Sequence, residues 1–319
     1  MTTVWQRRPD LFPSLCVGVI AVCWGLFWWP MRALEKAGLE GGWASFAIYL
    51  GSALALLPLA FVRRRQLVAG GWRLALTGLL LGSNFALYST AFLFTDVVRV
   101  LLLFYISPVW SIILGWTLLG EPIRVGRVVA VILGLIGISV VLGSGYGIPI
   151  PANAGDWMAL IAGMIFSYGT VRIRDHEEVA ASENLVAFFT GGLPTALWIA
   201  VIPLEGNGPF PNAEALLQAL PMLSSMVLVL LIPTTYVILW GSGLLSPARV
   251  GLLLMGEVGL GVGSAALFAG EPYGWRELVG TLLVLGACLA DLLTSPPESG
   301  NAHVGEGAVA SPVESGRDS

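Results

Sequence analysis

Ten apolar runs, each near the length of a bilayer crossing, dominate this chain and leave little of it to face water. They lie at roughly 12–33, 43–62, 72–93, 97–118, 126–143, 156–173, 183–203, 217–241, 248–269 and 276–293. A helix of about 20 mainly apolar residues spans the hydrocarbon, and in lipid every backbone amide must find its partner within the protein. Only 11% of the 319 residues are charged, against about 25% in a soluble domain. The pattern predicts an all-α membrane protein with ten transmembrane helices.

Turn residues separate the runs. Gly145, Gly147, Pro149 and Pro151 fill one linker, and Gly206, Gly208, Pro209 and Pro211 another. Arg7-Arg8 precede the first run, but no small-x-small cleavage site follows, so that run is read as a retained helix. From about residue 294 the sequence turns polar, beginning Pro296-Pro297-Glu298, and cannot bury enough surface to fold alone. Residues 294–319 are read as a disordered cytoplasmic tail. Cys16, Cys23 and Cys288 all lie inside apolar runs, which suits neither a disulfide framework nor a metal cluster. A net charge of −4 offers no basic footprint for nucleic acid. The expected partners are a small-molecule substrate, protons and the lipid bilayer, with no cofactor and no metal.

Arginine and lysine set the orientation. With a cytoplasmic N-terminus and ten crossings, twelve basic residues face the cytoplasm: Arg7, Arg8, Arg63, Arg64, Arg65, Arg73, Arg124, Arg127, Arg172, Arg174, Arg249 and Arg317. Four face outward: Arg32, Lys36, Arg99 and Arg276. The bias supports both termini inside; the expected location is the cytoplasmic (inner) membrane of a bacterium.

The chain also repeats itself. Gly120-Glu121-Pro122 recurs 150 positions later as Gly270-Glu271-Pro272, and Arg99-Val100-x-Leu102-Leu103 as Arg249-Val250-x-Leu252-Leu253. Val129 and Leu133 match Val279 and Leu283, and in a separate alignment Trp24-Gly25 corresponds to Tyr168-Gly169. These matches point to a duplication of five helices, with repeats at 1–143 and 144–293. Five is odd, so the second copy starts on the opposite side of the membrane and the halves are inverted, an arrangement that recurs in secondary transporters. Both Glu-Pro pairs would lie at helix junctions, where a proline opens a helix without losing a hydrogen bond and an acid favours the dipole. Capping is the favoured reading of both glutamates.

Tyr105-Ile106-Ser107-Pro108-Val109, Leu118-Leu119-Gly120-Glu121 and Gly134-Leu135-Ile136-Gly137 together resemble the EamA-type repeat of the drug/metabolite transporter superfamily. Leu244-Leu245-Ser246-Pro247-Ala248-Arg249, Glu257-Val258 and Gly270-Glu271 resemble it in the second half, which opens with Gly155-Asp156-Trp157-Met158-Ala159-Leu160. The resemblance covers about 12–293. It implies ten transmembrane helices, a central cavity and export of small metabolites. Where the family often has Glu-Pro in the ninth helix, this chain has Glu257-Val258.

Several activities lack their residues. The single lysine, Lys36, follows no glycine-rich loop, so no Walker A motif is present. It also falls in a loop, which argues against a retinal Schiff base. The two histidines, His176 and His303, fall in a loop and the tail, unsuited to a haem, an intramembrane Ser-His pair or an H-E-x-x-H zinc site. An enzyme is not expected. Two alternatives to a secondary transporter of a metabolite, amino acid or drug-like compound stay open: a lipid-linked substrate carrier or flippase, and a non-transporting scaffold or sensor that uses the tail.

Glu257 is the proton-coupling candidate. It lies eight residues past Arg249, about 12 Å along a helix, near mid-membrane, where an ionised carboxylate is costly. Proton carriage and pairing with a substrate cation are its two functional readings, against a bond to a neighbouring helix. The resemblance places the first, third, fourth, sixth, eighth and ninth helices around the cavity, and their polar and aromatic groups are the substrate-binding candidates: Trp24, Trp28, Asn84, Tyr88, Tyr105, Trp110, Tyr168, Tyr236 and Trp240. Interfacial anchoring and interhelical bonding are the competing explanations. Pro108 and Pro233 fall within runs and read as hinges, with Thr234 and Thr235 placed to satisfy freed carbonyls. Asp291 reads as interfacial, and snorkelling or local pairing accounts for Asp96, Arg99 and Arg32.

Overall fold

The computed structural model describes residues 10–95, 97–142, 150–175, 179–203, 207–268 and 274–294. The tail, Arg7, Arg8, Asp96, both histidines, Gly270-Glu271-Pro272 and the linker residues Gly145, Gly147, Pro149 and Gly206 lie outside the described residues. Among those described, every regular element is helical.

Each apolar run coincides with helix. The first holds α1 (Leu11–Trp24) and α2 (Trp28–Lys36), the second α3 (Gly42–Ala55) and α4 (Leu57–Val62), and the third α5 (Arg64–Phe94). The fourth holds α6 (Val97–Phe104) and α7 (Ser107–Leu119), followed by α8 (Val125–Leu142), α9 (Ala154–Asp175) and α10 (Ala181–Val201). The eighth begins as α11 (Ala213–Ser225), widens into a π-turn at Met226–Leu231 and continues as α12 (Ile232–Leu244). The ninth holds α13 (Pro247–Leu254) and α14 (Glu257–Phe268), and the last is α15 (Trp275–Thr294). Leu11–Lys36, Arg64–Phe94, Ala181–Val201 and Ala213–Leu244 are long and apolar enough to cross a membrane, and four more apolar helices are shorter.

The interruptions have local causes. Pro58 in the first turn of α4 separates it from α3. Gly71 adopts φ +52°, open to glycine at no steric cost, and kinks α5 where the third run begins. Pro108 does not hinge the middle of a helix as the sequence suggests. It stands in the first turn of α7, where a missing amide is tolerated. Pro233 instead lies inside the continuous helical run Ala213–Leu244, just past the π-turn, and the Thr234 hydroxyl donates to the Leu230 carbonyl at 2.6 Å. Glu121 also departs from the capping expectation. It follows Gly120, left-handed at φ +67°, and its amide closes the end of α7 on the Gly115 carbonyl, four residues before α8 begins.

Packing centres on α5, which lies against α9 and α10. Glycines set that closeness: a Cβ at Gly82 would strike the backbone of Phe188 and Gly192. The Tyr49 hydroxyl, on α3, donates to the Gly82 carbonyl. α8 pairs with α15, while α12, α13 and α14 pack on α1. Outward, Val19, Trp116, Leu228 and Val229 are more than half exposed. Apolar surface on that scale marks an interaction with lipid or protein.

Charge is buried too. Arg249 is fully buried and paired with Asp10 and Asp291, and Arg127 reaches Asp291 at 3.4 Å. Arg99 pairs with Asp156, whose carboxylate also accepts from Thr95. Asp291, read as interfacial from the sequence, is thus 1% exposed and held by two arginines.

Candidate functional site

Three helix breaks meet at the centre of the fold: Gly25–Phe27 between α1 and α2, Tyr105–Ile106 between α6 and α7, and Met255–Gly256 between α13 and α14. A Cβ at Gly25 would lie 2.5 Å from the Glu257 carbonyl oxygen and the Gly261 nitrogen, so the first break rests directly on the backbone of α14. The ninth run breaks without the proline that the family pattern supplies.

Glu257 is the first residue of α14. There the helix dipole favours negative charge. The Tyr88 hydroxyl donates to Glu257 Oε1. The Tyr105 hydroxyl donates to the carbonyl of Leu254, the last residue of α13, at 2.9 Å. Two tyrosines from the first half of the chain therefore brace both sides of a break in the second. Glu257 is 8% exposed.

Around this break lies a cavity of about 60 Å³, lined by Trp24, Asn84, Tyr88, Tyr105 and Glu257 together with residues of α9, α10 and α12. Its walls are aromatic. Trp24 stacks on Phe27 at 5.6 Å and meets the edge of Phe85 at 5.1 Å, and Tyr88 lies 4.3 Å from Phe104. Trp24 Nε1, Asn84 Oδ1 and Thr235 Oγ1 line it with no hydrogen-bond partner. A buried polar atom without a partner is costly, and a bound molecule that bonded these atoms would recover part of that cost. Of the expected threonine pair, Thr234 turns to its own helix and Thr235 to the cavity.

The other sequence candidates lie off this cavity. Trp28 donates to Ser264 at 3.1 Å, with Arg32 over its ring at 5.0 Å. Trp240 meets the edge of Phe12 at 6.1 Å. Trp110 buries its Nε1 away from the cavity lining. Tyr168 and Tyr236 are 37% and 43% exposed, Tyr168 with the Arg172 guanidinium 6.0 Å from its ring. Conversely, Phe85, Phe104, Phe166 and Phe188 line the cavity and carry no signal that sets them apart in apolar runs. Among the described residues no group of three His, Cys, Asp or Glu could hold a metal.

Comparison with known proteins places this architecture. Residues 12–143 match the model of the EamA-like transporter family. The chain is 29% identical over 225 residues to Protein RarD of Streptomyces exfoliatus, covering 67% of each. It also resembles a protein crystal structure with a TM-score of 0.64 over 90% of this chain and 96% of the other. At 18% identity that likeness is one of fold alone. The resemblance read from the motifs is thereby borne out: residues 12–143 match the EamA-like transporter family, the relative is consistent with it, and the apolar helices indicate a multi-pass membrane protein.

Proposed function

We propose that the protein is a secondary active transporter of the bacterial cytoplasmic membrane that exports a small amphipathic metabolite, amino acid or drug-like compound by alternating access, coupled to protons. Its ten helices form two inverted repeats, 1–143 and 144–293, with both termini cytoplasmic. The coincidence of helix breaks supports this reading: α6 and α13 begin and end 150 positions apart, as do the starts of α7 and α14. Half-helices that meet near the midplane are how many secondary transporters build their sites.

One observation carries the assignment of the site. Glu257 stands at such a break, faces an aromatic cavity and is bonded to Tyr88 from the opposite repeat. Ser107 occupies the corresponding position in the first repeat, so the cavity acquires its acid from one half only. A carboxyl so placed exchanges its proton, or its bond to Tyr88, for a donor on the substrate. Trp24, Asn84 and Thr235 offer further polar contacts, and the rings take up the apolar body.

The test is flux in proteoliposomes across a substrate panel, with and without an imposed pH gradient. Glu257→Gln keeps an acceptor for Tyr88 but cannot release a proton. Coupled flux is expected to disappear while substrate exchange at equal pH persists. Full gradient-driven accumulation by the variant would overturn the proton role.

A further inference from the structure

Away from the cavity, two ion pairs relate the repeats to each other. Arg99 and Arg249 stand 150 positions apart, at the third residue of α6 and of α13. Each binds an acid at the start of its own repeat's counterpart. Arg99, in the first repeat, reaches Asp156 in the first turn of α9, with Nε 3.0 and 3.1 Å from the two carboxylate oxygens. Arg249, in the second, reaches Asp10, the residue before α1. Both bonds therefore cross between repeats, and each ties a broken helix to the first helix of the other half.

The two are not equal. Arg249 and Asp10 are fully buried, and the cluster extends through Asp291, 3.2 Å from Arg249 Nε, to Arg127. The same offset sets Val141 against Asp291 and Glu277 against Arg127, so the first repeat cannot build that extension. Arg99 keeps 17% of its side chain exposed. Its pair is instead reinforced locally, by the Ile150 carbonyl and by Thr95.

We infer that Arg99–Asp156 and Asp10–Arg249–Asp291–Arg127 are reciprocal latches that position the two repeats, each closing one mouth of the cavity. The inference rests on the transporter reading, which puts Asp156 at the external end and Asp10 at the cytoplasmic end. A buried pair that loses one partner is strongly disfavoured, so each face opens only where both partners of its pair reach water. Neither pair touches the cavity lining. These are positioning residues, and their effect is on which side opens.

The full-length chain is tested in lipid vesicles of known sidedness. Cys16, Cys23 and Cys288 are replaced by Ala, and Ser242→Cys on the cavity wall supplies a single thiol. A membrane-impermeant maleimide is then added to one side at a time. Asp156→Asn is expected to raise external over cytoplasmic labelling about tenfold, and Asp10→Asn with Asp291→Asn to shift the ratio as far the other way. Exchanging the pair, Arg99→Asp with Asp156→Arg, is expected to restore the parent ratio, which a general loss of packing would not do. Shifts in the same direction, or no shift, overturn the latches. Should the cytoplasmic variant fail to fold, the Asp156→Asn ratio and its rescue by the exchanged pair decide alone. Substrate flux with an unmoved ratio removes the latches but not the transporter. Labelling from neither side in any variant, without flux, removes both.

Discussion

Replacing Gly25 by alanine adds one methyl group at the place where two broken helices touch. The new Cβ would stand 2.5 Å from the Glu257 carbonyl oxygen and the Gly261 nitrogen, whereas ordinary contact starts at 3.4 Å. The backbones must therefore part by about 0.9 Å, and neither is the flexible end of a side chain. Overpacking of this kind costs about 1–3 kcal/mol. The strain falls on the turn that carries Glu257, so the Tyr88–Glu257 bond and the cavity wall move with it. Gly263→Ala is the internal control, because it lies in the same helix with nothing within 4 Å of its Cβ. It should leave stability unchanged or raise it by about 0.5–1 kcal/mol, as alanine suits a helix better than glycine. Thermal unfolding in detergent and flux in vesicles are compared for the two variants. If Gly25→Ala matches the parent in both, or if the two variants behave alike, the close approach of α14 to the first break is refuted.

Two further perturbations probe the surroundings. Arg249→Met removes the cation between buried Asp10 and Asp291 and should cost about 3–5 kcal/mol, read as a lowered unfolding temperature and reduced yield of folded protein. Tyr49→Phe leaves the Gly82 carbonyl without its side-chain donor. The expected loss is about 1 kcal/mol, with substrate flux retained, since Tyr49 does not line the cavity.

The helices were legible in the sequence because length and apolarity alone announce them, and every run from 12–33 to 276–293 coincides with helix. The offset of 150 marked Arg99 and Arg249 as equivalent, yet it gave no hint of their partners. Asp10 and Arg249 are 239 residues apart, and only the packed bundle joins them. The facing of side chains was harder still. Helices such as α9 and α12 are apolar on most sides, so no polar stripe fixes which residues turn inward. Two positions separate Phe166, which lines the cavity, from Tyr168, which is 37% exposed. Glu257 was legible for the opposite reason: an acid in so apolar a stretch needs a partner, and Tyr88 provides it.

The split fourth segment bears on how the chain is made. α6 has eight residues, about 12 Å of helix, and cannot by itself bridge a hydrocarbon layer about 30 Å thick. Joined straight to α7, residues 97–119 extend about 34 Å, which suffices. A nascent segment that arrives before its neighbours must bond its own amides throughout, so on the transporter reading it enters lipid unbroken. The opening at Tyr105 and Ile106 then follows only when Leu254 is present to receive the tyrosine hydroxyl. Biogenesis of the first half would accordingly finish after synthesis of the second, and a fragment ending at residue 143 would hold a continuous fourth helix that the complete protein does not have.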